Sequence, residues 1–162
     1  MPEKNIAAGV VRLLLHQRAT LAVAESCTGG LITHLLTDIP GISTSLLMGV
    51  TAYSNDVKIN QLGVPASLIE KEGAVSREVA LAMADGIARS AGADYGIGVT
   101  GIAGPSGGSE EKPVGLVWIA LRGRKDSTAR EFRFSGDRSQ IKRQAANAAI
   151  NMLKDALVNR QG

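Results

Sequence analysis

Apolar and polar residues recur at two different periods along the chain, and together these periods predict an α/β fold. Apolar positions three or four residues apart predict amphipathic helices, which cover residues 3–18, 31–39, 65–71, 76–90 and a last segment that begins after Asp137. Short apolar runs predict strands, which cover residues 21–24, 46–53, 94–100, 114–121 and 128–134. Because the last two strands resemble a hairpin, we expect a single three-layer domain with helices on both faces of a mixed sheet.

Capping and turn residues mark several element boundaries. Ser76 is placed to cap a helix, and Asp137 begins the pattern of a capping box. Gly96 and Gly98 lie inside a predicted strand, which indicates that another element packs closely against it. Ser54, Asn55 and Asp56 are predicted to end the second strand in a turn that leads to Lys58.

The composition fits one domain over residues 1–162. The chain is 44% hydrophobic but only 3% aromatic, so we expect an aliphatic core that needs no covalent cross-links. The single cysteine excludes an internal disulfide and a multi-cysteine metal site, and the two histidines do not have zinc-ligand spacing. Glu110 and Glu111 are either magnesium ligands or, more simply, a solvated pair in a loop.

The charge pattern favours a small anionic ligand over a nucleic acid or a membrane. A net charge of +3 is mildly basic, but it does not amount to the clustered basic surface of a nucleic-acid-binding domain. The residues after Met1 do not form a signal sequence, and no apolar run approaches the length of a membrane span. We therefore expect a cytoplasmic protein.

Residues 22–30 contain the main candidate chemistry. A short apolar strand leads into the turn Glu25-Ser26-Cys27-Thr28-Gly29-Gly30, which precedes a helix. A hydroxyl held there can attack a carbonyl group while backbone amides bind the oxyanion. Alternatively, Ser26 or Thr28 simply caps the helix. Cys27 is a weaker candidate nucleophile, because neither histidine is placed to activate it.

Lys58 is a candidate general base, with the hydroxyl of Tyr53 as a group that orients the amine or relays its proton. The ordinary pKa of lysine, about 10.4, leaves very little neutral amine at neutral pH. The role therefore requires burial or a nearby cation, which lower this pKa. The alternative is a solvated surface lysine, and spacing alone does not pair Lys58 with Ser26.

A glycine-rich and proline-rich loop follows the third predicted strand, over residues 101–113. It matches neither a Walker A loop nor a dinucleotide fingerprint. Its backbone amides, together with Thr100 and Ser109, are suited to binding a ribose or a phosphate. Arg138 and Arg143 in the last helix either bind a phosphate or form a solvated basic face.

Several longer segments identify a family resemblance. They are Ala24-Glu25-Ser26-Cys27-Thr28-Gly29-Gly30, Tyr53-Ser54-Asn55, Gly73-Ala74-Val75-Ser76, Gly101-Ile102-Ala103-Gly104-Pro105, Glu111-Lys112-Pro113-Val114-Gly115 and Phe134-Ser135-Gly136-Asp137-Arg138. In this order they closely resemble the CinA C-terminal domain family, in the stand-alone form that acts as a nicotinamide-nucleotide amidase. The resemblance extends from about residue 5 to residue 158.

The resemblance implies hydrolysis of nicotinamide mononucleotide to nicotinic acid mononucleotide and ammonia. It assigns Ser26 as nucleophile, Lys58 as base and Tyr53 as the adjacent hydroxyl. The implied substrate contacts are Glu25, Cys27, Thr28, Gly29, Gly30, Thr100, Gly101, Ala103, Gly104, Ser109, Arg138 and Arg143. It implies no metal or organic cofactor and a homo-oligomer, most often a dimer. We expect no nucleic-acid partner.

Two other classes of function remain open. The first is a non-catalytic nucleotide-binding accessory module of the competence or damage-inducible type. The second is a DNA-associated protein, suggested by the mild basicity alone. Ser26, Tyr53 and Lys58 discriminate between these classes, because a binding module does not need a neutral lysine beside a serine.

Overall fold

The structure is a computed structural model that describes residues 2–160, with side chains from Ile6 onward. Its helices are α1 (Pro2–Gln17), α2 (Leu31–Thr37), α3 (Asn55–Leu62), α4 (Ala66–Glu72), α5 (Arg77–Ala91) and α6 (Arg138–Asn159), with a 3₁₀ turn at Ile42–Thr44. Its strands are β1 (Leu21–Glu25), β2 (Leu46–Thr51), β3 (Tyr95–Gly101), β4 (Leu116–Arg122) and β5 (Ser127–Arg133).

The predicted helices and strands are present, but one predicted turn is wrong. Residues 54–58 enter helix α3, where the Ser54 hydroxyl caps the helix by accepting a hydrogen bond from the Val57 amide. Lys58 and Leu62 are the buried residues of this helix, one turn apart. A lysine therefore occupies a core-facing position, which hides the apolar periodicity by which such a helix is recognised.

The sheet is mixed and has the strand order β2-β1-β3-β4-β5. Strand β1 pairs in parallel with β2 and β3, while β4 is antiparallel to β3 and β5 is antiparallel to β4. All five residues of β1 are buried. The carboxyl ends of β1, β2 and β3 therefore lie at one edge of the sheet.

Helices cover both faces of the sheet, as predicted. Side chains from α1, α2 and α6 form one core with Tyr95, Ile97 and Val99 of β3. On the opposite face, α3 and α5 pack over β1 around Ala22 and Ala24. The fold is thus a three-layer α/β domain.

Gly98 explains how closely α5 approaches the sheet. A Cβ atom on Gly98 would lie 2.6 Å from the Ala84 amide nitrogen and would clash with the Ala80 carbonyl oxygen. Gly96 faces the same helix in the same way. The predicted close packing against this strand is confirmed.

The connections open a crevice at the carboxyl ends of β1 and β3. From β1 the chain passes through α2 on one face to reach β2, and it reaches β3 through α5 on the other face. Ligands bind at such a switch point in open α/β sheets, because the loops on either side diverge.

We expect Gly98→Ala to lower the free energy of unfolding by about 1–3 kcal/mol, because the added methyl group must push α5 away from β3. Gly9→Ala in α1 is the control, because among the described atoms none beyond its chain neighbours and its own helix backbone lies within 4 Å of its Cβ position. It should be neutral or stabilising by up to about 1 kcal/mol, since alanine is the better helix former. Urea unfolding measures both variants, and equal stabilities would contradict the packing argument.

Candidate active site

A cleft of about 280 Å³ lies at this switch point. Its walls come from the β1–α2 turn, the β2–α3 connection, the loop before α5, the loop after β3 and the start of α6. The lining residues are Ser26, Cys27, Tyr53, Asn55, Lys58, Ala74, Val75, Thr100, Gly101, Ile102, Ala103, Gly104, Ser106, Gly107 and Arg138. Larger depressions near Arg124 and Arg160 contain neither Ser26 nor Lys58.

The carboxylate of Glu25 caps helix α2. It accepts hydrogen bonds from the Ile32 amide at 2.9 Å, the Thr33 amide at 3.1 Å and the Thr33 hydroxyl at 2.9 Å. Gly30 occupies the N-cap position in a left-handed conformation, and this residue has no side chain that could cap the helix itself. The interpretation that Ser26 or Thr28 caps this helix is therefore wrong, and the Ser26 hydroxyl remains available to the cleft.

Lys58 reaches Ser26 from α3. Its Nζ lies 3.1 Å from Ser26 Oγ and 3.4 Å from the Tyr53 carbonyl oxygen. Lys58 is only 2% exposed and Ser26 only 8% exposed. The alternative of a solvated surface lysine is wrong, since the whole side chain crosses the interior to reach the turn after β1.

The surroundings of Lys58 favour the neutral amine. Burial lowers the pKa of Lys58 from its ordinary value of 10.5, and the nearby Cys27 offsets only part of this effect. Within residues 6–160, Lys58 forms no ion pair with a carboxylate. A lysine that is desolvated without a counterion gives up its proton more readily, which suits a general base.

Burial keeps the thiol of Cys27, which lies next to Ser26, in its unreactive protonated form. Burial raises the pKa of its thiol to about 12, an effect strengthened by the charge of Glu25 and only partly offset by a backbone hydrogen bond and by the charges of Lys58 and Arg138. The thiolate is the nucleophilic form of cysteine. Cys27 therefore stays protonated near neutral pH and does not compete with Ser26.

The side chain of Tyr53 is oriented by Arg138 and not by Lys58. Arg138 donates one hydrogen bond to the Tyr53 hydroxyl at 2.8 Å and another to the Gly104 carbonyl at 2.6 Å. Lys58 contacts Tyr53 through the backbone carbonyl. Among the described residues, the expected contact between the Tyr53 hydroxyl and the Lys58 amine is therefore not formed. Arg138, at the start of α6, instead links the β2–α3 connection to the loop after β3.

Backbone amides with no carbonyl acceptor lie directly after Ser26. The Ser26 amide donates to the Val99 carbonyl, and the Gly29 amide donates to the Ser26 carbonyl, both at 3.0 Å. Within residues 2–160, the amides of Cys27 and Thr28 donate to no backbone carbonyl, although the Cys27 amide also lies close to its own sulfur. These two N–H groups are the candidates for binding an oxyanion that forms beside Ser26.

The loop after β3 contributes shape more than side-chain donors. The Thr100 hydroxyl donates to the Ala74 carbonyl at 2.8 Å, which fastens the loop before α5 to the end of β3. Gly101 has no room for a side chain, since a Cβ there would lie 2.7 Å from Val117 Cγ2. Ser109 closes a turn by accepting a hydrogen bond from the Lys112 amide, outside the cleft wall.

The structure brings together part of the set named from the sequence. The residues that line the cleft are Ser26, Cys27, Tyr53, Lys58, Thr100, Gly101, Ala103, Gly104 and Arg138, whereas Glu25, Thr28, Gly29, Gly30, Ser109 and Arg143 do not. The cleft lining also includes residues that the sequence patterns did not indicate, namely Asn55, Ala74, Val75, Ile102, Ser106 and Gly107. Most of these belong to the recognised segments, so the signal was present, but nothing local indicated that these segments meet.

Within the described residues, no group of three or more histidine, cysteine, aspartate or glutamate side chains is arranged to hold a metal ion. None of the helices in residues 2–160 combines the length and the apolar character needed to cross a bilayer.

Known proteins are similar to this chain in sequence. The profile of the family described as CinA C-terminal domain matches residues 3–157. A CinA-like protein of Geotalea daltonii is 53% identical over 142 residues, which cover 88% of this chain and 34% of that protein. A CinA-like protein of Dictyoglomus thermophilum is 45% identical over 157 residues, which cover 97% and 38% of the two chains. The chain thus spans about a third of the length of these curated relatives.

Solved structures agree with the fold. The competence/damage inducible protein CihA from Agrobacterium tumefaciens has a TM-score of 0.94 and 39% identity, covering 97% of this chain and 96% of that chain. A CinA superfamily protein from Klebsiella pneumoniae has a TM-score of 0.93 and 33% identity, covering 97% and 98%.

We expect Lys58→Met to raise the free energy of unfolding near pH 7, because methionine removes an amine that is desolvated without a counterion. The folded pKa of Lys58 lies below its unfolded value of 10.5, so the unfolded chain binds more protons and wild-type stability rises with pH between those two values. The advantage of the variant should therefore shrink as the pH approaches 10.5. Urea unfolding at neutral and alkaline pH measures this difference.

Lys154, which is exposed on α6, provides the control for that experiment. Lys154→Met should change stability by less than about 0.5 kcal/mol at either pH. If Lys58→Met were destabilising by the same amount at both pH values, burial would not be disfavouring the charged amine.

Proposed function

The chain belongs to the CinA C-terminal domain family, and on that premise we propose that it hydrolyses the carboxamide of nicotinamide mononucleotide. The proposed products are nicotinic acid mononucleotide and ammonia. Ser26 is the nucleophile and Lys58 is the general base. The observation on which this proposal mainly rests is the 3.1 Å contact between Lys58 Nζ and Ser26 Oγ in a buried site.

The first half of the reaction transfers the acyl group to the enzyme. Lys58 takes the hydroxyl proton as Ser26 Oγ attacks the carboxamide carbon, and the amides of Cys27 and Thr28 bind the resulting oxyanion. The carbon–nitrogen bond then breaks, and the Lys58 ammonium returns its proton to the departing nitrogen, which leaves as ammonia.

The second half regenerates the enzyme. Water attacks the ester on Ser26 while neutral Lys58 accepts one of its protons. The carbon–oxygen bond to Ser26 breaks, and Lys58 returns the proton to Ser26 Oγ. One water molecule is consumed and one carboxylic acid is formed, and the proposed steps use neither a metal nor an organic cofactor.

The cleft walls suit a pyridine ring. Ala74, Val75, Ile102 and Ala103 line the cleft together with Ser26, and they offer apolar surface of the kind that commonly surrounds aromatic ligands. The Tyr53 ring lies at the edge of the cleft and is 60% exposed. A ring bound between these groups would bring its carboxamide towards Ser26.

The proposal includes a homodimer, which rests on the resemblance, and no nucleic-acid partner, which rests on the charge pattern. The cytoplasmic location expected from the sequence is also part of the proposal. The alternative of a non-catalytic nucleotide-binding module is favoured by no feature of the site. A buried lysine without a counterion is costly, and nucleotide binding alone does not require one beside a serine.

We expect Ser26→Ala to lower ammonia release from nicotinamide mononucleotide by at least about 10³-fold while nucleotide binding is retained, because only the attacking oxygen is lost. Lys58→Arg should be comparably inactive, since a guanidinium does not deprotonate. Ammonia release is measured in the presence of a chelator. Ser90→Ala, at an exposed position of α5, controls for loss of a serine elsewhere.

Two results would contradict this proposal. Wild-type protein that binds the mononucleotide but releases no ammonia would favour the accessory module. Full activity in Ser26→Ala would remove Ser26 from the mechanism. A DNA-associated role would instead appear as DNA binding with a steep salt dependence.

We also expect kcat/KM to rise with pH along a single limb, because only the neutral amine of Lys58 accepts the proton of Ser26. The midpoint should lie below the 10.5 of an ordinary lysine, since burial lowers the pKa of Lys58. Ammonia release measured from about pH 5 to about pH 10 tests this expectation. A rate that falls with increasing pH over that interval would mean that a protonated group drives the step.

A further inference from the structure

The cleft itself offers little positive charge to a phosphate. Its basic side chains are Lys58 and Arg138. Lys58 is committed to Ser26 and has a lowered pKa, while Arg138 already donates to Gly104 and Tyr53. The phosphate of a mononucleotide carries between one and two negative charges near neutral pH. A further cation near the cleft would complete the site.

A second depression adjoins the cleft and contains such cations. It has a volume of about 350 Å³ and is lined by Leu31, Arg138, Ser139, Lys142 and Arg143. Arg138 lines both cavities, so a ligand bound in the cleft can extend past this side chain.

The ammonium of Lys142 lies against the turn that follows Ser26. A Cβ atom on Gly29 would lie 3.5 Å from Lys142 Nζ, and the Gly29 amide is itself bonded to the Ser26 carbonyl at 3.0 Å. These contacts place the ammonium within about 10 Å of Ser26. That separation is comparable with the distance from the carboxamide to the phosphate in an extended nicotinamide mononucleotide.

Lys142 has no partner that neutralises it. Its side chain is half-buried, yet within residues 6–160 it makes neither a hydrogen bond nor an ion pair. The nearest acidic neighbour along the chain, Asp137, uses its carboxylate to cap α6 through the Gln140 amide. The depression is therefore net positive, and Lys142 is available for an anion.

We infer that Lys142 binds the 5′-phosphate of the substrate and thereby selects the mononucleotide over the riboside and over free nicotinamide. This inference rests on the proposed function. Lys142 neither contacts the carboxamide nor takes part in proton transfer. Its contribution depends on the presence of the phosphate group, which gives it a distinct experimental signature.

The test compares nicotinamide mononucleotide with nicotinamide riboside, which lacks the phosphate. Lys142→Gln should lower kcat/KM for the mononucleotide by about 10- to 100-fold, the range expected for one charged hydrogen bond, and leave kcat/KM for the riboside unchanged. Lys142→Arg should restore most of the loss, because the positive charge is retained. Lys154→Gln removes the same charge from an exposed position of the same helix and should behave as wild type.

Equal losses for the two substrates, or no loss for either, would overturn the inference. Dissociation constants measured in the Ser26→Ala background separate it from the proposed function. Weaker binding of the mononucleotide alone in Ser26→Ala/Lys142→Gln supports the phosphate site even if wild-type protein hydrolyses neither substrate. Hydrolysis that occurs without any dependence on Lys142 overturns the phosphate site and leaves the amidase proposal standing.

Discussion

The amine of Lys58 lies in the interior with a serine hydroxyl and a backbone carbonyl as its hydrogen-bond partners. Desolvation of this kind disfavours the charged form, and a carboxylate close by would restore it. The residues around the amine supply no such carboxylate within the described chain. Holding this amine without a counterion costs stability, and the proposed role of Lys58 as general base would make use of its lowered pKa.

Glu25 directly precedes Ser26 in the chain, yet its carboxylate forms no ion pair with Lys58. Its two oxygen atoms are occupied by the first turn of α2. The same contacts satisfy the helix terminus that a serine or threonine in the turn would otherwise cap. The buried Glu25 side chain therefore fixes the turn through its hydrogen bonds to α2, and the Ser26 hydroxyl is not needed as a helix cap.

The rest of the site is assembled by the topology of the sheet. Because β1 lies between two parallel neighbours whose connecting helices cover opposite faces, the segments that follow β1, β2 and β3 meet at one edge. The antiparallel hairpin then returns the chain to this edge, where α6 begins and Arg138 contacts Tyr53 and Gly104. Lys142 lies one turn further along α6, so the same helix supplies the cation proposed for the phosphate.

Local patterns in the sequence were sufficient to predict the strands, most helices, the caps at Ser76 and Asp137, and the close packing at Gly98. Each of these depends on residues that are neighbours along the chain or on one face of one element. The resemblance added Ser26 and Lys58 as a pair, which spacing alone did not do. Only the tertiary structure decided that Lys58 is a buried residue of a helix, that Glu25 rather than Ser26 caps α2, and that Arg138 orients Tyr53. Glu25 reaches α2 across a short turn, whereas the contacts of Lys58 with Ser26 and of Arg138 with Tyr53 join segments far apart in the sequence. The burial that lowers the pKa of Lys58 exists only when those segments have packed together.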